Sequence, residues 1–246
     1  MAAAKRTKKE ELMRNGTPWW GGGEYQIGDQ PSPHVAGPCL KFLRRETKNG
    51  PLADIGVLGG RNLPPLLALG GEVVATDTAE AGAALAKARQ RFPKVHFITT
   101  LITALPFGDG TLGGALCWRV LHNITNPREL VMAWAELNRV LAPNAPLVIA
   151  VRSERHHDDH LARLFVRRLP NGGSGVREDV YFTNGGFRLL AGLTGFTVMD
   201  LLPDVEGGEN IDGREVTNRY LVAHLLKTAP IRSPHLAVAE KLVVRP

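Results

Sequence analysis

Residues 51–62, PLADIGVLGGRN, constrain the chain more than any other stretch. An apolar run closes on Asp54, turns through Gly56, Gly59 and Gly60, and continues as NLPPLLAL, which reads as a helix start. A strand, a glycine turn and a helix in that order is where α/β proteins hold nucleotide-like ligands. Glycines let ligand atoms approach the backbone, and the first turn of a helix presents N–H groups that have no intrahelical partner. This stretch is therefore the first candidate for a cofactor site.

Strand and helix signals alternate after it. GEVVATD reads as a strand ending in Asp77, residues 79–91 as an alanine-rich helix, KVHFIT as a third strand and TLGGALCWRV as a fourth. A helix then starts at Pro127 and runs to about residue 141, and PLVIAVRS makes a fifth strand. Short β-rich runs separated by helix-length segments predict a mostly parallel sheet covered by helices on both faces. Right-handed crossovers make that a doubly wound α/β fold. Upstream, apolar residues at helical spacing over 33–45 predict a leading helix. Downstream the pattern loosens: 155–169 reads as a helix, NGGSG as a loop and 183–193 as a helix. FTVMDLL and RYLVAHLL read as strands flanking the irregular DVEGGENIDGREVTN. The segment RRLPNGGSGVRED is either a loop over a substrate or a connector.

Length and charge bound the remaining choices. A chain of 246 residues suffices for one large domain, and no apolar run approaches the length that crosses a bilayer. The start, MAAAKRTKKEELMRNG, lacks the apolar centre of a secretory signal, and Cys39 and Cys117 form no paired motif. These features favour a reducing compartment, read as cytoplasmic with organelle or nucleus left open. The formal charge of +6 sits at the ends: residues 1–14 and 227–246 each carry +3, which leaves the body neutral. Basic ends can touch nucleic acid, but solvated termini are the plainer reading, and nucleic acid is not the favoured partner. The expected division is a basic tail, Trp-rich loop and leading helix over 1–50, the α/β domain over 51–226 and a basic tail over 227–246.

Several side chains could extend a site or merely fill space. Trp19 and Trp20, beside three glycines and Tyr25, either plug the edge of the core or fold over a ligand. Trp118 and Trp134 read as core. In RHHDDH, His156 and His160 stand at i and i+4, but without the glutamate and third ligand of a zinc helix they read as a solvated face, and no metal is expected.

DIGVLGGRNLPPL, EVVATD, ALPFGDGTLGGALCWRVLHNI and AELNRVLAPNAPLVIA, taken together, resemble the class I S-adenosylmethionine-dependent methyltransferases, in particular the group that includes quinone-biosynthesis enzymes. The similarity is strongest over residues 52–153. It implies a Rossmann-like, seven-stranded sheet with S-adenosylmethionine bound across the ends of strands one, two and four. It also implies transfer of a methyl group to an unidentified acceptor, read here as a small molecule, with oligomeric state open. By resemblance, Gly56 and Gly60 lie against the amino-acid part of the cofactor, Asp54 orients that end and Asp77 holds the ribose hydroxyls. Leu101 stands where the family often has an adenine-binding acid, and Arg119 follows the fourth strand where the reactive methyl is expected. His122 is the one candidate general base, with a structural role as the alternative. The chain departs from the family at the middle glycine, which is Leu58, and at an acid before the fourth strand, which is Gly113, a change that by resemblance removes a polar partner for the adenine. Those departures support a second reading: a fold that has lost catalysis and serves as a binding or assembly module for a protein or RNA.

Overall fold

The computed structural model describes residues 30–153, 164–171, 175–211, 214–231 and 233–244. A π-helical turn, Val35–Cys39, leads into α1 (Leu40–Glu46). Pro38 lies inside that turn, and a widened turn accommodates a residue with no N–H to donate. There follow β1 (Leu52–Ile55), α2 (Leu63–Leu67), β2 (Val73–Asp77), α3 (Gly82–Arg91), β3 (His96–Thr99) and β4 (Gly114–Trp118). Next come a short 3-10 turn, Leu121–Asn123, then α4 (Pro127–Val140) and β5 (Pro146–Arg152). The chain continues through β6 (Leu164–Asn171), β7 (Gly175–Phe182), α5 (Asn184–Leu193), β8 (Phe196–Ile211), β9 (Arg214–Lys227), α6 (Ser233–Glu240) and β10 (Val243–Val244).

Seven strands form one sheet in the order β3-β2-β1-β4-β5-β9-β8. The first five are parallel, and β9 runs antiparallel to both β5 and β8. This is the doubly wound, mostly parallel arrangement that the alternation predicts. β4 and β5 are buried along their whole length, as strands covered on both faces must be. Side-chain alternation divides the interior in two: Ala53, Ala115, Cys117, Leu147 and Ile149 face Trp134, Leu137, Phe187 and Leu190 of α4 and α5. Leu52, Leu116, Trp118, Val148 and Ala150 face Phe42, Leu43, Leu66 and Leu85 of α1, α2 and α3.

The shared motif AELNRVLAP serves as a structural lock. Asn138 Nδ2 donates to the carbonyls of Thr194 and Ala229, both at 3.0 Å, tying α4 to two distant loops. Arg139 donates to the carbonyls of Leu105 and Phe107 and pairs with Glu136 and Asp109, clamping the ALPFGDG loop. At the other end of α4, the side chain of Asn126 accepts from the N–H groups of Arg128 and Glu129, and Pro127 occupies the first turn where its missing donor is harmless.

The later chain differs from the sequence expectation. The helix expected over 155–169 gives way to strand β6 from Leu164 onward, and the RRLPNGGSGVRED segment belongs to the hairpin β6–β7 instead of a plain loop. Pro170 is compatible with that strand because, among the described residues, β10 pairs with Leu164 and Phe165 and does not reach it. The irregular stretch expected after FTVMDLL is largely strand, since β8 and β9 extend as one hairpin with register shifts between Val198 and Asp200 and between Glu206 and Glu209. Residues 227–246 carry α6, with Ala239 fully buried, and β10. Residues 1–29, with Trp19, Trp20 and Tyr25, and the RHHDDH segment lie outside the described residues. No helix among the described residues is long and apolar enough to cross a membrane.

Candidate active site

Parallel strands place their C-terminal ends along one edge of the sheet, and the chain's polar candidates collect there. β1 ends in a turn whose backbone is tied to β2: the N–H groups of Gly56 and Val57 both donate to the carbonyl of Thr76, at 2.8 and 3.0 Å. Gly56 has φ +80°, and a Cβ there would lie 2.1 Å from Val120 Cγ2. Glycine at 56 is thus required by the close approach of the chain after β4. Gly60, at φ +76°, is backed by Leu63 and Phe92, whereas nothing lies within 4 Å of a Cβ built on Gly59. The open face of the turn is at Gly59, and Gly60 serves the turn from behind.

Leu58 does not obstruct the turn's link to β2. It adopts a left-handed φ of +45° and donates its N–H to Asp77 Oδ2 at 2.7 Å. Thr78 N–H donates to the other oxygen, Oδ1, at 2.8 Å. A carboxylate oxygen has more than one acceptor direction, so each oxygen of Asp77 is fixed by one backbone donor and retains capacity for another. That is the geometry a vicinal diol needs. Burial raises the Asp77 pKa, and the two backbone donors act against the rise.

Asp54 lies beneath the same turn and is 2% exposed. Its pKa is pushed up to about 7, first by burial and then by the charge of Asp77, with Arg61 opposing. A buried acid beside a second acid favours a cationic ligand that would restore its ionised form. Just after β3, Leu101 is 59% exposed. Gly113 is a correction to the sequence reading. It sits at the opposite edge, donating to Pro51 O and accepting from Lys48 N–H, and a Cβ there would lie 2.3 Å from Lys48 O. Backbone crowding dictates that glycine, which has no part in an adenine pocket.

The far half of the edge is built by side chains. Arg119, the first residue after β4, has φ +65°, donates its N–H to Ala150 O and sets its guanidinium 3.8 Å from the centroid of the Tyr220 ring. Tyr220 is the register partner of Arg152, the last residue of β5. The Arg152 guanidinium lies 5.7 Å from the same ring and its Nε is 2.6 Å from Asp179 Oδ2, both side chains being buried. His122 is 5% exposed and its ring tilts against Tyr220 at 6.1 Å, so it faces packed protein. Trp118 and Trp134 are core residues. The sequence reading missed Tyr220, Arg152 and Asp179. Its one available signal was an arginine closing the apolar strand PLVIAV.

A doubly wound sheet with a glycine turn after β1 and a carboxylate ending β2 defines the class of α/β proteins that bind nucleoside ligands at the strand ends. Residues 53–149 match the family model described as a methyltransferase domain, and the fold is that of the class I S-adenosylmethionine-dependent methyltransferases. Solved structures share the fold. The 1,6-didemethyltoxoflavin-N1-methyltransferase of Burkholderia thailandensis, solved with 1,6-didemethyltoxoflavin and S-adenosylhomocysteine, is 22% identical over 79% of each chain, with a TM-score of 0.59. A methyltransferase from Methanosarcina mazei is 19% identical, covering 81% of this chain and 99% of that one, at a TM-score of 0.60. The CcbJ methyltransferase of Streptomyces caelestis is 17% identical, covering 82% and 93%, at 0.55. No curated protein matches the chain.

Proposed function

We propose that the protein is an S-adenosylmethionine-dependent methyltransferase acting on a small molecule. The observation that carries this reading is Asp77, each of whose oxygens is held by one backbone donor at the end of β2. Its geometry suits the two ribose hydroxyls of the cofactor, the turn at Gly56 and Gly59 suits the amino-acid end, and Asp54 supplies negative charge beneath that end. Leu101 offers an apolar surface for the adenine. The bound cofactor would supply an activated methyl group on a sulfonium, which needs no metal and little acid–base assistance. This chain's share is then to hold the nucleoside, to orient the acceptor's lone pair in line with the methyl carbon and to exclude water. A small acceptor fits the neutral body of the chain and the small substrate of the Burkholderia relative.

Isothermal titration with S-adenosylhomocysteine tests the reading. The wild-type chain is expected to bind, and Asp77→Ala to weaken binding at least about 100-fold, the lower end of the loss expected for two hydrogen bonds to a charged group. Absence of binding by the wild-type chain at millimolar ligand would defeat it.

A further inference from the structure

The body of the chain is neutral only in sum; in three dimensions its charge is segregated. On the side of the sheet covered by α1, α2 and α3, α1 and its exit expose Lys41, Arg44, Arg45 and Lys48. On the same side, α3 and its exit expose Lys87, Arg89, Arg91 and Lys94. Arg45 pairs with Glu46, Arg89 reaches Phe97 O and Thr99 Oγ1, and Arg91 lies 5.1 Å from the centroid of the Phe92 ring. The side chains of Lys41, Arg44, Lys48, Lys87 and Lys94 have no hydrogen bond or ion pair among the described residues. Acids are sparse here and mostly engaged: Glu46 holds Arg45, Glu80 bonds to Thr78 and Asp200 bonds to His224, with Glu72 beside them. The opposite face mixes its charges, with Arg128 beside Glu129 and Arg139 held by Glu136 and Asp109. The balancing acids lie elsewhere, Asp204, Glu206, Glu209 and Glu215 occupying the β8–β9 hairpin where it runs past the end of β5 at Arg152.

We propose that the α1–α3 face is a docking surface for a single-stranded polynucleotide, held by its phosphates along the exposed lysines and arginines and by bases stacked at Phe92 and Phe97. Lysine and arginine neutralise phosphates in any sequence, and a ring face stacks any base. Phe92 and Phe97 are half-buried among Arg89, Arg91 and Lys94, so rings and cations alternate along this part of the face. α1 meets β9 through Phe42 and His224, while α3 covers β2 and β3, a separation of about four strand spacings or roughly 20 Å. Helix α2 lies between them and bears no charge, so it adds no repulsion along the path. Lys48 N–H bonds to Gly113 O beside the start of β4, and Lys94 stands two residues before β3. Both clusters therefore gather toward the N-terminal edge of the sheet, away from the cofactor turn, and the strand is a partner and not the methyl acceptor. A lipid surface would call for an apolar anchor beside the cations, whereas the exposed large hydrophobic residues Leu101, Met132, Leu189, Met199 and Val238 all lie outside α1, α2 and α3. The inference stands apart from the methyltransferase reading.

The test follows the fluorescence anisotropy of a labelled oligouridylate of about 20 nucleotides titrated with the full chain at about 50 and 200 mM salt. Affinity should fall about 20- to 100-fold between the two, as counterion release from about three to five phosphates gives. Arg44→Glu with Lys48→Glu, and Lys87→Glu with Lys94→Glu, should each weaken binding at least about tenfold at the lower salt. Arg128→Glu with Arg188→Glu makes the same change of charge on α4 and α5 and should weaken it less than about threefold. Phe97→Leu should weaken the oligonucleotide but not inorganic polyphosphate, a split that lost packing would not give. Thermal unfolding confirms that each variant is folded, and the corresponding glutamine pair is read in place of any that is not. Undiminished binding in either the α1 or the α3 pair would overturn the proposal and move the contact to the basic residues 1–14 or elsewhere. Equal losses in all three pairs, no distinction between the two ligands in Phe97→Leu, or no binding at the lower salt would overturn it as well. So would a preference for phosphatidylglycerol vesicles over the oligonucleotide.

Discussion

The two halves of the sheet's C-terminal edge are made in different ways. Around β1 and β2 the backbone itself shapes the site: a turn bonded to Thr76, positive φ at Gly56, and an aspartate gripped by the N–H groups of Leu58 and Thr78. At the β4–β5–β9 corner the shape comes from side chains contributed by four separate segments, with Tyr220 at the centre and the Arg152–Asp179 pair behind it. A backbone-shaped site depends on residues a few positions apart, whereas a side-chain-shaped site depends on which strands become neighbours. The first tolerates little change in the chain and the second can be respecified by single substitutions.

Asp179→Asn should separate the halves most sharply. It leaves Arg152 buried beside a neutral amide, and breaking a buried pair in this way costs about 3–5 kcal/mol. Differential scanning calorimetry should show a fall in Tm of roughly 10 °C for a chain of this size. Asp77→Asn, by contrast, sits in a partly open site and should cost much less stability while impairing ligand binding. Equal stability losses for the two variants would erase the distinction.

Asp54 gives the cofactor half a pH signature. With its pKa raised from 3.8 to about 7, the folded chain holds a proton there that the unfolded chain has released. Stability contributed by the protonated acid is therefore full below the unfolded value and declines as pH rises toward about 7, by about 4 kcal/mol if the whole shift is expressed. Asp54→Asn should flatten this part of the denaturant midpoint-versus-pH curve. The ionised acid should also hold the cofactor's ammonium better, so S-adenosylhomocysteine affinity should rise over the same pH range in which the empty protein loses stability. Parallel curves for wild type and Asp54→Asn would refute the assignment.

Alanine at the three turn glycines grades the backbone constraint. Gly56→Ala combines a positive φ with a 2.1 Å approach to Val120 and should cost roughly 2–4 kcal/mol. Gly60→Ala meets the ends of Leu63 and Phe92 at 3.0 Å, side chains that can yield, and should cost roughly 1–2 kcal/mol. Gly59→Ala enters open space and should change stability by less than about 0.5 kcal/mol, while reducing cofactor affinity if the open face is where the ligand lies. Chemical denaturation of the three variants checks the order.

The same division explains what could be read before the structure was seen. β1, β2, β4 and β5 are short, mostly apolar runs, so their existence and the candidate site at Asp54, Gly56 and Asp77 could be read from local pattern. Gly113 misled because position in a motif says nothing about which edge of a sheet a residue occupies; its neighbours Lys48 and Gly50 reveal that only in three dimensions. β6 resembled a helix because LFVRRLP carries no strict alternation, and its strand state is decided by pairing with β7 and β10. The Tyr220 cluster offered no more than the arginine that closes PLVIAV, since Arg152 meets Tyr220 through an antiparallel pairing across nearly seventy residues of chain.

Leu58 supplies the finest comparison, because it carries a side chain at a left-handed position between two left-handed glycines, Gly56 and Gly60. Its φ of +45° should cost about 1–2 kcal/mol relative to glycine. Leu58→Gly removes that strain but loosens the unfolded chain, a loss of about 0.5–1 kcal/mol, and also gives up the burial of a half-buried side chain. The net change in stability should therefore be no larger than about 1 kcal/mol and can be read from the denaturant midpoint. The N–H to Asp77 is retained by glycine, so ribose-side contacts survive the substitution. If S-adenosylhomocysteine then binds with unchanged affinity, the leucine stands clear of the ligand and the turn works as found. A large gain in affinity, at least tenfold, would mean that the isobutyl group occupies ligand space, and the cofactor half would be shaped by a side chain as much as its neighbour is.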